Sequence, residues 1–120
     1  MATQFKHVML MVPDVEASVK FFSEGLGLDV KMSSPGWAEL DADGTTIALH
    51  FARGKQEVSG SPILSFVVDD VRASVDALTK LGATLSGDIR EPDFGTVAAM
   101  KTPEGHMVSL LQPKPAAVEA

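Results

Sequence analysis

The sequence predicts an α+β fold of two tandem βαβββ modules whose curved mixed sheets enclose a cleft. Three observations predict it: an internal repeat, a helical apolar stripe in each copy, and short apolar runs separated by turn residues. Val12-Pro13-Asp14-Val15-Glu16-Ala17-Ser18-Val19 returns 56 residues later as Val68-Asp69-Asp70-Val71-Arg72-Ala73-Ser74-Val75, with six of the eight positions identical. The offset is close to half of the 120 residues, so a duplicated module is the economical reading.

Each copy begins with an apolar run, Phe5–Met11 or Ile63–Val67, that reads as a strand. Helical periodicity follows. Val15, Val19, Phe22 and Leu26 form one apolar stripe, and Val71, Val75 and Leu78 form its counterpart. The spacing predicts helices over about 14–25 and 70–81, each covering one face of its own sheet. Asp14 and Asp70 stand where an N-cap carboxylate accepts the unsatisfied N–H groups of a first helical turn. Gly25 or Gly27, and Gly82, are placed to supply the left-handed residue that ends each helix.

Three strands complete each module. In the first they are Leu28–Met32, Trp37–Leu40 and Thr45–Phe51, punctuated by Ser33-Ser34-Pro35-Gly36 and Asp41-Ala42-Asp43-Gly44. In the second they are Ala83–Leu85, Thr96–Met100 and Met107–Leu111, with Gly87–Gly95 and Thr102-Pro103-Glu104-Gly105 between them. The Gly82–Gly95 stretch, with Asp88, Arg90, Glu91 and Asp93, reads either as a mobile rim or as a solvated loop. The single domain divides into module one at 4–52, a linker at 53–60, module two at 61–112 and a tail at 113–120. The two prolines and small residues of the tail give it no periodic face.

Composition removes several function classes. There is no cysteine, which excludes disulfide scaffolds, zinc–thiolate sites, iron–sulfur clusters and thiol nucleophiles. Sixteen acidic residues against ten basic ones give a net charge of −6, which opposes binding to nucleic acid. No apolar run reaches the roughly 18 residues of a membrane span. The first residues lack a basic stretch followed by an apolar core, so a cytoplasmic location is expected. Neither a Gly-x-Ser-x-Gly elbow nor a nucleotide-binding glycine loop is present.

The chain resembles the vicinal oxygen chelate superfamily, which contains glyoxalase I, bleomycin-resistance proteins and extradiol dioxygenases. The resemblance runs over residues 4–112 and is carried by three stretches. They are His7-Val8-Met9-Leu10-Met11-Val12-Pro13-Asp14, Phe21-Phe22-Ser23-Glu24-Gly25-Leu26-Gly27-Leu28, and the turn Pro103-Glu104-Gly105-His106. It implies paired βαβββ modules around a shared cavity. In the family's enzymes a divalent metal is commonly held there by the first and last strands of each module. Four such ligands leave open positions for two vicinal substrate oxygens. The positions implied here are His7, Ala48, Ile63 and Ser109. One imidazole, a hydroxyl and two hydrocarbon side chains do not make the family's metal site. No cofactor is therefore expected, and an atypical divalent site is the disfavoured alternative.

Strand alternation places His7, Met9 and Met11 on one face, Trp37 and Glu39 on another segment's face, and Ala48 with His50 on a third. Each has two readings. His7 is a satisfied structural histidine or a polar contact to a ligand. Trp37 stacks on a planar ligand or fills the core, and Glu39 is a general base or a solvated rim carboxylate. His50 is a candidate because the small side chains of Ala48 and Ala52 leave space beside it. His106 reads as a solvated turn residue. The expected ligand-contacting set is His7, Met9, Met11, Trp37, Glu39, Ala48, His50, Ile63 and Ser109, with no metal ligands. Any catalysis would draw on His7, His50 or Glu39.

The expected function is a small-molecule-binding protein of the glyoxalase/bleomycin-resistance type, without the usual catalytic metal, serving ligand sequestration or resistance. The alternative is a lyase, isomerase or dioxygenase-like enzyme with an atypical metal or acid/base site. The expected partners are a small organic molecule and a second copy of the chain. A homodimer is expected because both faces of the first strand are apolar while one helix covers only one of them.

Overall fold

A computed structural model describes residues 3–54 and 62–115. The element order is β1 (Thr3–Val12), α1 (Val15–Leu26), β2 (Asp29–Ser33), β3 (Trp37–Ala42), β4 (Thr45–Phe51), then β5 (Ile63–Val68), α2 (Val71–Lys80), β6 (Thr84–Arg90), β7 (Gly95–Lys101) and β8 (Met107–Pro113). This is the tandem βαβββ order. Most of the expected linker, 55–60, and the end of the expected tail, 116–120, lie outside the described residues. Chain contacts define two compact units, residues 6–64 and residues 65 onward with those up to Phe5.

In the first unit the strand order is β2-β3-β4-β1. β2, β3 and β4 form an antiparallel meander, and β4 pairs with β1 in parallel. The β3–β4 hairpin turns through Asp43 and Gly44, both at positive φ (54° and 92°), as a two-residue type I′ turn requires. The Asp41 carboxylate accepts the Gly44 N–H at 2.9 Å. α1 starts where the sequence signals it: the Asp14 carboxylate accepts the Ala17 N–H at 3.0 Å. Gly27, at φ 75°, ends it and frees Leu28 to bond back to the Phe22 carbonyl at 3.1 Å. The helix stripe lands on Ala38, Leu40 and Leu49, with Leu10, Val12, Val19, Phe22, Leu28 and Ile47 around them.

The second unit repeats the plan with the order β5-β8-β7-β6. The Asp70 carboxylate caps α2 through the Ala73 N–H at 3.1 Å. The Val71 N–H donates to the Gln112 side-chain oxygen at 3.0 Å, which ties the helix start to β8. Val71 and Val75 pack on Val68, Ala83, Ala98, Met100 and Leu110.

Two stretches differ from expectation. The stretch read as a rim or solvated loop is strand as far as Arg90, because a bulge between Ser86 and Arg90, with Gly87 at φ 78°, bends the strand without ending it. The tail read as structureless begins later than Pro113. β8 runs through that residue, and the Lys114 N–H donates to the Phe94 carbonyl at 3.1 Å.

Candidate functional site

Register decides which side chains share a face, because residues directly opposite each other in a ladder project to the same side. Met9 lies opposite Ala48 and Met11 opposite His50 in the parallel β1–β4 pair. Across β3–β4, Trp37 lies opposite His50 and Glu39 opposite Ala48. Leu10, Val12, Leu40 and Leu49 belong to the core under α1. The alternate residues therefore form the other face of the sheet. His7, Met9, Met11, Trp37, Glu39, Ala48 and His50 are brought together there, as strand alternation suggested.

Trp37 organises this face. Its ring centroid lies 5.5 Å from that of His7 and 5.9 Å from that of His50. Its indole N–H donates to Glu39 Oε2 at 2.8 Å. Glu39 is half-buried and anchored, which argues against a solvated rim carboxylate. A charge-assisted bond of this kind is worth more than a neutral one, so it fixes both side chains. The exposed His50 ring has Nδ1 2.7 Å from the Phe51 carbonyl oxygen. A carbonyl can only accept, so Nδ1 is the donor in this contact, and Nε2 is the ring nitrogen the contact does not use.

His7 is 5% exposed. Burial is the main reason its pKa falls below 6.5; Lys6 and Lys31 push the same way, and Glu39 opposes them. It is a neutral imidazole at neutral pH. Lys31 also reaches Thr46, donating to Oγ1 at 2.8 Å. The sequence reading missed this Lys31–Thr46 pair because Lys31 sits at the β2 bulge between Val30 and Met32, where simple alternation fails.

Ile63 is buried at the start of β5. In the second unit Ser109 lies opposite Ala99, on the sheet face away from α2. Ser65 was also missed. It is buried on the strand face away from Phe66 and Val68, and its hydroxyl has no hydrogen-bond partner among the described residues. Its place two residues beyond Ile63 was the available signal. His106 is an exposed turn residue, as expected.

The fold defines a class: tandem βαβββ proteins. The chain matches the Glyoxalase/Bleomycin resistance protein/Dioxygenase superfamily over residues 4–110, and it belongs to that family. It is 28% identical over a 126-residue alignment to a probable lactoylglutathione lyase of Vibrio parahaemolyticus, covering 92% of this chain and 91% of the relative. Methylmalonyl-CoA epimerase from Mycobacterium tuberculosis has the same fold, with a TM-score of 0.64 at 19% identity, covering 93% of this chain and 89% of that one. A superfamily member from Vibrio splendidus superposes at 0.63 with 20% identity, covering 92% and 99%.

The residues do not fit the divalent metal that the family implies. At two ligand positions that the resemblance implies, Ala48, at 0% exposure, offers a methyl group and Ile63 a branched hydrocarbon. Among the described residues no group of three or more His, Cys, Asp and Glu side chains is arranged to hold a metal. The chemistry on this face is that of two imidazoles, one carboxylate and an indole, bordered by methionines.

Proposed function

We propose that this protein binds a small planar organic molecule on the first module's sheet face and does so without the family's catalytic metal. The observation that carries this reading is the grouping of Trp37 between two imidazoles, with Glu39 anchored on its indole N–H, beside Ala48. Trp37 supplies a stacking surface, and Met9 and Met11 an adaptable apolar border. His50 Nε2 accepts a hydrogen bond from the ligand. The role is sequestration or resistance by a cytoplasmic homodimer. The dimer is supported by the exposed apolar side chains of the first unit, among them Phe21, Met32 and Phe51.

Trp37 is the sole tryptophan, so its emission reports on the proposed site directly. Titration with a panel of planar aromatic compounds should give saturable quenching for at least one of them. His50→Ala should weaken that binding by about tenfold, the value of one good polar contact. Compounds that bind without altering Trp37 emission, or with unchanged affinity for His50→Ala, would contradict the reading.

The second reading is a lyase, isomerase or dioxygenase-like enzyme. Two observations favour it: the Vibrio parahaemolyticus relative named a probable lactoylglutathione lyase, and the exposed His50 ring held at the Phe51 carbonyl through Nδ1. Turnover that is abolished in His50→Gln or Glu39→Gln would establish it over sequestration.

A further inference from the structure

The duplication provides an internal comparison for the opposite, helix-covered side of each sheet. In both modules a glycine with positive φ follows the helix, Gly27 as the cap of α1 and Gly82 one residue beyond the Leu81 cap of α2. The next residue then donates its N–H back into the end of the helix: Leu28 to the Phe22 carbonyl, six residues back, at 3.1 Å, and Ala83 to the Leu78 carbonyl, five residues back, at 3.0 Å. Phe22 and Leu78 correspond by the repeat offset of 56, and Leu28 and Ala83 correspond as the residues that follow the glycine. At both positions the second module carries the smaller side chain, leucine for phenylalanine and alanine for leucine. In the first module Phe22 and Leu28 pack onto the core.

Where that volume is missing, the second module has a cavity of about 400 Å³ between α2 and its sheet. Its walls include Phe66, Leu78, Ala83, Met100, Val108 and Leu110. None of the described residues lining it is charged; Thr3, Ser74 and Thr102 supply the hydroxyls. Leu81, 77% exposed, and the exposed Pro103 also line it, so the cavity reaches the surface between the end of α2 and the β7–β8 turn. Those two segments already approach closely: a Cβ on Gly82 would lie 3.2 Å from Pro103 Cγ. The volume falls within the range of about 300–1,000 Å³ typical of small-molecule sites. Apolar walls hold water poorly, so filling them releases no strongly bound solvent.

We propose that this cavity binds a compact, uncharged molecule with a fused-ring or branched hydrocarbon body. It shares no residue with the face that carries His7, Trp37 and His50. A net charge on the ligand would be desolvated here with no ionic partner, which restricts the class to neutral molecules.

The neutral fluorescent probe N-phenyl-1-naphthylamine tests this on the intact chain. Saturable one-to-one binding is expected. The methyl NMR signals of Leu78, Val108 and Leu110 should shift on binding while the Trp37 indole signal stays in place. Ala83→Leu restores the side chain of the first module and should weaken binding by about tenfold or more. If that variant does not fold, the methyl shifts in the native chain decide. Absence of saturable binding would overturn the proposal. So would shifts centred on Trp37, or undiminished binding to folded Ala83→Leu. Failure here leaves the Trp37 reading intact, because that reading is measured by tryptophan emission and by His50→Ala.

Discussion

At the scale of single residues, burial and hydrogen bonding give the Trp37 face its chemistry. Trp37→Phe keeps an aromatic ring but removes the only described donor to the half-buried Glu39. Thermal or denaturant unfolding should show a loss of about 1.5–3 kcal/mol, the range for a hydrogen bond to a charged group. His7 makes a pH prediction with a definite sign. Its folded pKa lies below 6.5, chiefly through burial, so the unfolded chain takes up a proton first as pH falls. Its contribution is complete above about 6.5 and is lost progressively as pH drops towards the lowered folded value. A His7→Gln variant should lose less stability than the native chain between pH 7 and pH 5.5. Equal slopes for the two proteins would refute the assignment. The residues on this face were legible because alternation has period two, which put His7, Met9, Met11, Trp37, Glu39, Ala48 and His50 in phase. Their partners were not. Lys31 reaches Thr46 from a bulge, and the His50 contact with Phe51 depends on a side-chain torsion; neither leaves a periodic mark.

At the scale of elements, glycine separates two effects cleanly. Gly25 lies within α1, and a Cβ there meets nothing within 4 Å. Gly25→Ala should stabilise the protein by about 0.5–1 kcal/mol through helix propensity alone. Gly95 opens β7 at φ 151°, and its Cβ would lie 2.2 Å from the Gln112 carbonyl oxygen. Gly95→Ala should therefore cost several times what Gly25→Ala gains, because backbone atoms of β8 must move. Melting curves of the two variants test both statements. The element map was legible where local chemistry dictates it: the Asp14 and Asp70 caps, the Asp43-Gly44 turn and the helix stripes. It failed over Gly87–Arg90 and at Pro113. A glycine reads as an interruption until the ladder shows a bulge, and proline reads as a stop although it can end an antiparallel strand. The cavity beside α2 was hidden for a related reason. Leu28 and Ala83 correspond only when the different helix lengths are known, and a fixed offset of 56 pairs Ala83 with Gly27 instead.

At the scale of the whole molecule, family membership settles the fold but leaves the chemistry to particular residues. The described residues contain no helix long and apolar enough to cross a membrane. The proposed homodimer predicts that sedimentation at micromolar concentration returns twice the 12.7 kDa chain mass. A monomer mass would remove that part of the account. The central claim concerns the metal. The ligand positions that the resemblance implies are His7, Ala48, Ile63 and Ser109, two of them hydrocarbon side chains without a donor atom. Metal analysis of the purified native chain, with Ile63→His/Ala48→Glu measured alongside it, tests this most directly. The account predicts no stoichiometric nickel, zinc, iron or manganese in the native protein, and metal affinity gained by the double variant. A tightly held metal in the native chain that disappears in His7→Ala would contradict it and make the enzyme reading the leading one.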